Sequence, residues 1–299
     1  SAPCRPADPV AARGWLRRAV DATTRRPEPL LDLGLMLLLG DGGEPAPAEG
    51  VTLLDRAAAF PQLLAVEVSG MVYATGLGVP RDAAKARVYF AQADWLGSDS
   101  LEKLAQNTQW GQISEFVRRA LQHLQALAGA GDPAASGLLA RLHQLGRLVP
   151  YDAGRALTLA RAAAARGDAT AMRVLYYAHH NGDGVARDDE EALRWLRRGA
   201  EAGDSYCMMF LSQRLMKGDT VARDVPQGLG WLERAAEAGN WWALGDLAHA
   251  YAEGWQGIPP DPQKATGWMK RLAEQGNFEA RGWLALHGQP VQELKELDE

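Results

Sequence analysis

The chain has little cysteine, no surplus of positive charge and no long apolar run. Two cysteines among 299 residues are too few for a disulfide framework or a zinc site, and no bridge between Cys4 and Cys207 is predicted. A net charge of −5 does not predict nucleic-acid binding, which needs a surplus of Lys and Arg. The longest apolar stretch, 30–39, is interrupted by Asp32 and is too short to span a membrane.

Glycine, by contrast, is abundant and periodic. Gly-Asp or Gly-Asn pairs recur with their glycines 36, 36, 36 and 37 residues apart, each after an Ala-rich run. Glycine can adopt the left-handed conformation that ends a helix, and the Asp or Asn behind it can cap the next helix. This spacing indicates a repeat near 36 residues long. The pairs begin at Gly131, Gly167, Gly203, Gly239 and Gly276.

Two further marks keep the same register. A second series of glycines is spaced by 35 or 36 residues, and each is predicted to end the first helix of a unit, helix A. An Asp such as Asp188 or Asp224 then begins the second helix, helix B. We therefore predict an all-α solenoid of about seven helix–turn–helix repeats. The second series is Gly40, Gly76, Gly111, Gly146, Gly182, Gly218 and Gly254.

Positions in helix A are counted back from its closing glycine. Positions −11, −7 and −3 share one helical face and carry mostly small or apolar residues, so this face is predicted to be buried. In helix B, Trp195, Trp231 and Trp268 recur at one position and are predicted to lie in the core.

Positions −9, −5 and −2 of helix A are predicted to point into a groove that a partner protein occupies. With Trp242, they include residue types that protein interfaces favour. Packing between repeats is the alternative for Tyr177 and Trp242. The candidate partner-binding residues are Arg141, Arg173, Tyr177, His180, Met209, Gln213, Met216, Trp242 and His249.

The predicted organisation is a single repeat domain over residues 1–299. Its segment 98–131 is a degenerate unit, because it lacks the glycine-rich turn and the capping Asp. The domain divides into an N-terminal half-repeat (8–24), the repeats (30–276), a C-terminal capping helix (277–288) and an acidic tail (289–299).

Motifs of catalysis are missing from the sequence. There is no His-Glu-x-x-His, no Gly-x-Ser-x-Gly and no phosphate-binding loop that ends in Lys-Ser/Thr. His179-His180 raises a metal hypothesis, but Tyr73 and Tyr251 stand at the repeat position of His179, which favours a packed aromatic side chain. We predict no catalytic residue, no metal site and no cofactor.

The unit 171–203, with the turn Gly-Asp-Gly-Val-Ala-Arg-Asp between its helices, closely resembles the Sel-one-like repeat, a relative of the tetratricopeptide repeat. The match is good over 65–97 and 134–276 and weaker over 30–62 and 98–131. The resemblance implies a right-handed αα superhelix whose helices A line the concave side. It also implies an adaptor or scaffold, a class that includes bacterial envelope proteins and immunity proteins against secreted lipase-type toxins.

The function expected from this resemblance is non-enzymatic binding of a partner protein in the concave groove. Within that class we favour an exported bacterial immunity or inhibitor protein that neutralises a secreted lipase-type effector. The alternative is a structural or assembly scaffold of an envelope or polysaccharide-export complex. A start at Ser1, and not at Met, favours a periplasmic or otherwise exported protein, with a cloning remnant and a cytoplasmic location as alternatives. No nucleic acid, membrane span or small-molecule cofactor is expected.

Overall fold

The computed structural model consists of helices joined by turns in the residues that it describes, which are 8–22, 26–60, 63–96, 111–255, 257–274 and 278–288. The expected all-α class is confirmed. None of the helices in these ranges is both long and apolar enough to cross a membrane. Cys4, most of the degenerate unit's predicted helix A and the acidic tail lie outside the described residues.

The described helices follow one another with short connections. In chain order they are α1 Pro9–Ala22, α2 Pro27–Leu39, α3 Pro47–Ala58, α4 Leu63–Thr75, α5 Ala83–Leu96, α6 Gly111–Gly129, α7 Pro133–Leu145, α8 Ala153–Ala164, α9 Ala169–Asn181, α10 Asp189–Glu201, α11 Ser205–Lys217, α12 Val225–Glu237, α13 Trp241–Glu253, α14 Pro262–Glu274 and α15 Phe278–Leu286.

By the density of its contacts the chain divides into two compact units, residues 1–188 and 189–299. In the first unit α2 packs on α3, α4 on α5 and α7 on α8. In the second unit α11 packs on α12, and α13 packs on α14. Each of these pairs is one predicted helix A with its helix B. The organisation as a single domain stays a prediction.

The turns from helix A to helix B form as their sequence predicts. Gly182 and Gly218 end their helices with φ of 84° and 77°, in the left-handed region that glycine tolerates. The N–H of Asp224, the residue before α12, donates to the carbonyl of Leu215 over 2.9 Å and closes the turn. The Asp224 carboxylate then accepts the N–H of Gln227 over 2.9 Å, which confirms the predicted helix cap.

The turns from helix B back to helix A repeat a second motif. The N–H of Asp204 donates to the carbonyl of Gly199 over 2.9 Å, the bond of a Schellman motif around Gly203. The Asp204 carboxylate then caps α11 by accepting the N–H of Cys207 over 2.9 Å. The same cap is formed at Asp132, Asp168 and Asn240.

The predicted core face of helix A is buried. In the first unit Ala171 and Leu175 are fully buried, and His143 is buried with its Nδ1 donating to the Pro150 carbonyl over 3.1 Å. Cys207 is a buried free thiol. The other buried residues at these positions include Leu139, Leu211, Leu215, Ala243, Leu247 and Tyr251.

The degenerate unit departs from the prediction. Gly111 does not close a helix A but begins α6, which runs for 19 residues to Gly129. Because the residues after Gly111 include no glycine-rich turn and no capping Asp, α6 runs without interruption through 111–129. Phe116, Ala120 and Leu124 form a buried stripe along α6, which packs on α2 and α4. In the described part of this unit, a single helix therefore runs through the place of the predicted turn and helix B.

Asp32 is a half-buried carboxylate in α2, a helix whose other residues are mostly apolar. Burial, and then the nearby Glu28 carboxylate, raise the pKa of Asp32 to about 6. We expect Asp32→Asn to increase the free energy of unfolding at pH 7 by about 2 kcal/mol. Since the folded-state pKa lies above the ordinary value, the penalty is complete above pH 6 and absent below about pH 4.

Urea denaturation of the wild type and of Asp32→Asn at pH 7 and pH 4 measures this effect. Exposed Asp21, at the end of α1, provides the matched control, because Asp21→Asn is expected to leave the midpoint unchanged at both pH values. A gain from Asp32→Asn that is the same at both pH values would show that ionisation of this carboxyl is not its cause.

Candidate functional site

Three of the predicted partner-binding residues are buried, which corrects the assignment of positions −9 and −2 to an open groove. Arg173 and Met209 at position −9 are 6% and 5% exposed. The equivalent Gly137 of α7 shows why, since a Cβ atom there would lie 2.7 Å from the Asp168 carboxyl carbon at the start of the next helix A. In α7, position −9 therefore faces the cap of α9, the next helix A.

Met216, at position −2, is 1% exposed. Its Cγ would lie 2.8 Å from a Cβ atom at Gly228, so this position faces helix B of its own repeat. Met209 and Met216 are core side chains in the second unit. His180, the other predicted residue at this position, is half-buried and stacks on Tyr176 with ring centroids 5.5 Å apart.

Position −5 is buried in α2 and α4, at Leu35 and Met71, but it is partly accessible in α7 and α9, where it brings two predicted residues together. The guanidinium of Arg141 on α7 lies 5.4 Å from the ring centroid of Tyr177 on α9, the distance of a cation–π contact. Arg141 also donates to Gln144 Oε1 over 2.9 Å, and Gln144 Nε2 donates to the Val174 carbonyl over 3.1 Å. Two adjacent helices A thus share a half-exposed polar and aromatic surface.

In the second unit the accessible residues follow one stripe of α13. Trp242 is 53% exposed and His249 is exposed, while the intervening Asp246 is half-buried. Spacings of four and three residues place all three on one helical face. We call these three residues the α13 face. Gln213, at position −5 of α11, is half-buried.

Sequence reasoning missed Asp246. Its signal was available, because positions −12, −8 and −5 are four and three residues apart and therefore share one helical face. Burial raises the pKa of Asp246 above its ordinary value, and the nearby His249 partly opposes this shift. Within the described ranges the carboxylate has no ion pair or hydrogen bond.

A second polar cluster, also missed, joins three helices of the first unit. Asp55 of α3 accepts hydrogen bonds from the hydroxyls of Tyr73 and Tyr89 over 2.7 and 2.8 Å, and from Lys85 Nζ over 2.8 Å. The Lys85 ammonium also lies 4.0 Å from the Tyr73 ring centroid. Burial, and then the bond to Asp55, raise the pKa of both tyrosines. Each polar group has a partner inside the cluster, so it fixes three helices together.

The tryptophans of helix B are not core residues, which corrects their prediction. Trp195, Trp231 and Trp268 are half-buried, and each carries a guanidinium over its ring at 4.4–5.0 Å from the centroid. The cation belongs in every case to the arginine three residues later, which lies on the same side of the helix. Trp15 of α1 carries Arg18 in the same way at 4.5 Å, as the predicted half-repeat would.

In the ranges that the structure describes, no three His, Cys, Asp or Glu side chains are grouped so as to hold a metal ion. The accessible residues of helix A are instead an aromatic ring, an amide, a guanidinium, an imidazole and a carboxylate. Such a mixture is typical of a protein-binding surface. The fold and the site together define the class of all-α repeat proteins that act by binding.

The Sel1 repeat family matches seven segments of the chain, which together cover more than half of it, so the protein belongs to this family. None of these segments includes residues 94–132, the stretch that contains α6. Sel1 repeat proteins are generally protein-interaction modules, and their fold is not typically enzymatic. The matched segments are 3–23, 30–59, 64–93, 133–168, 170–204, 205–240 and 242–277.

The chain is also similar to solved structures, and the first of them agrees with the family. A Sel1 repeat protein from Oxalobacter formigenes is 27% identical with a TM-score of 0.50, and the match covers 92% of this chain and 79% of that one. The protective antigen c5321 of uropathogenic Escherichia coli, which displays an SLR fold, is 25% identical with a TM-score of 0.44, over 97% of this chain and 63% of that one. A comparison with curated proteins finds no match.

Proposed function

We propose that this protein binds a partner protein on the accessible side of its helices A, with the α13 face as the main contact in the second unit. The observation that carries the proposal is Trp242, a large aromatic side chain that is half-exposed on a well-packed helix. Exposed tryptophans with polar neighbours are over-represented among the side chains that dominate binding energy. The Arg141–Tyr177 pair offers a contact of the same type in the first unit.

Affinity capture with three immobilised proteins tests this proposal: the wild type, Trp242→Ala and Trp15→Ala. Trp15 is the matched control because it is 64% exposed but lies on α1, a helix of type B. We expect the wild type and Trp15→Ala to retain the same partner with equal affinity. Loss of a central tryptophan is expected to weaken binding by about 30-fold, which corresponds to about 2 kcal/mol.

Circular dichroism of each variant shows that the solenoid is intact, since both tryptophans are largely exposed. A partner that Trp242→Ala retains as tightly as the wild type does would remove the α13 face from the proposal. An equal loss of partner affinity in Trp242→Ala and Trp15→Ala would also overturn the proposal, because binding would then not be specific to the α13 face.

The finer role that we propose is inhibition of a secreted lipase-type effector by an exported protein. The support is the resemblance of the repeats to immunity proteins of that kind and a surface suited to binding another protein. This role predicts that a lipase-type effector is encoded beside the gene, and an equimolar mixture of that effector with this protein is expected to lose hydrolytic activity. Recovery of the natural protein in the periplasmic fraction is expected as well.

The scaffold role gives different results in the same two measurements. An effector that stays fully active at equimolar ratio, together with co-purification of an envelope or polysaccharide-export complex, would replace inhibition by scaffolding. Recovery in the cytoplasmic fraction alone would overturn the proposed location.

A further inference from the structure

Trp242 differs from the tryptophans of helix B in one respect. Trp15, Trp195, Trp231 and Trp268 each carry the guanidinium of an arginine three residues later. The residue three positions after Trp242 is Gly245, which has no side chain. In the described part of the chain no Lys or Arg lies over the Trp242 ring, so its electron-rich face is open to a cation from outside.

A carboxylate stands beside this open ring. Asp246 is four residues after Trp242 and therefore one helical turn away on the same face. It is half-buried, and no Lys or Arg of the described ranges forms an ion pair with it. A desolvated carboxylate without a partner costs free energy, and a cation that binds to it recovers much of that cost.

Resting on the proposed function, we infer that the α13 face receives a lysine or arginine side chain of the partner protein. Its cation lies over the Trp242 indole and pairs with the Asp246 carboxylate. The partner segment that docks here is accordingly basic, which suits a chain whose own net charge is −5. The arrangement reproduces, between two proteins, the tryptophan–arginine contact that helix B makes within the chain.

An organic cation fits this place better than a metal ion. The α13 face offers one carboxylate and one imidazole, whereas zinc and calcium sites in proteins use three or more protein ligands. The flat indole face adds nothing to metal coordination but attracts an ammonium or guanidinium.

A small probe tests the site without any partner. N-acetyl-arginine amide is titrated into the full-length protein, and the indole N–H signals are followed by nuclear magnetic resonance. We expect the Trp242 signal to shift and saturate, while the Trp231 signal stays in place because Arg234 already covers that ring. Uncharged N-acetyl-glutamine amide is expected to leave the Trp242 signal unchanged. Absence of an arginine-specific shift at Trp242 would overturn the inference.

Two variants then test the same contact with the captured partner. Asp246→Asn keeps the size of the side chain and removes its charge, and we expect partner affinity to fall about tenfold. Gly245→Arg supplies an internal guanidinium three residues after Trp242, so it is expected to compete with the partner and lower affinity by at least tenfold. A circular dichroism melt checks its folding, and if Gly245→Arg is unfolded, Asp246→Asn decides the test.

The inference and the proposed function fail in different ways. If Trp242→Ala does not weaken partner binding, the proposed function fails at this face. If Trp242→Ala weakens binding but Asp246→Asn binds the partner as tightly as the wild type does, the proposed binding at the α13 face is supported. The inference that this face receives a lysine or arginine side chain is then refuted. Weakening by both variants, together with the arginine-specific shift, supports the inference.

Discussion

Gly137→Ala is expected to lower the free energy of unfolding by about 3 kcal/mol. Gly137 lies on α7 where that helix meets the start of α9, and an added Cβ would sit 2.7 Å from the Asp168 carboxyl carbon and closer still to its Oδ1. That oxygen accepts the Ala171 N–H over 2.7 Å and caps α9. The methyl group would displace the cap and overpack a buried contact, and both effects destabilise the fold.

Urea denaturation of the purified variant measures the effect. Gly154→Ala is the matched control, because Gly154 is an exposed helical glycine whose added Cβ would meet its nearest neighbour at 3.6 Å. Alanine is the better helix former, so this control is expected to gain about 0.5–1 kcal/mol. Equal stability of Gly137→Ala and the wild type would mean that the cap at Asp168 adjusts without cost.

The same contact shows why the groove could be predicted only in part. Caps and turns depend on residues that are close in sequence, so the roles of residues such as Asp204 and Gly203 followed from spacing alone. The burial of Met209 depends on how adjacent helices A are offset, which no spacing within one repeat reveals. A small residue at position −9, such as Gly137, was the one feature of the sequence that indicated a close approach between adjacent helices A.

The polar cluster around Asp55 was hidden for a related reason. Its members come from α3, α4 and α5, and periodicity classed Tyr73 only as part of a buried face. The second unit contains a similar arrangement, in which the Tyr251 hydroxyl donates to Glu233 over 3.0 Å. Acid and tyrosine are 18 residues apart in both cases, so a search at half the repeat length would have found the pair.

Asp132→Ala is expected to lower the free energy of unfolding by about 2–3 kcal/mol, because this carboxylate has two roles. It caps α7 by accepting the N–H of Ala135 over 2.7 Å. It also forms a two-pronged ion pair with Arg81, which lies 51 residues earlier in the turn before α5. Both side chains are only 26% exposed, so water screens the pair less than it would a surface pair.

The two roles can be separated, because Asn240 performs the same capping in another repeat without a charge. Asp132→Asn should therefore keep the cap but lower the free energy of unfolding by about 1–2 kcal/mol, because the ion pair is lost. Asp152→Ala, which removes an exposed cap, should lower it by about 1 kcal/mol.

The hydrogen bond from Arg81 holds the pKa of Asp132 below its ordinary value. The pair is therefore fully formed above about pH 4, and its contribution is lost as the pH falls through the lowered pKa. Denaturation midpoints of wild type and Asp132→Asn should accordingly converge in acid, and a constant gap down to pH 2 would show that the charge of Asp132 does not join these distant segments.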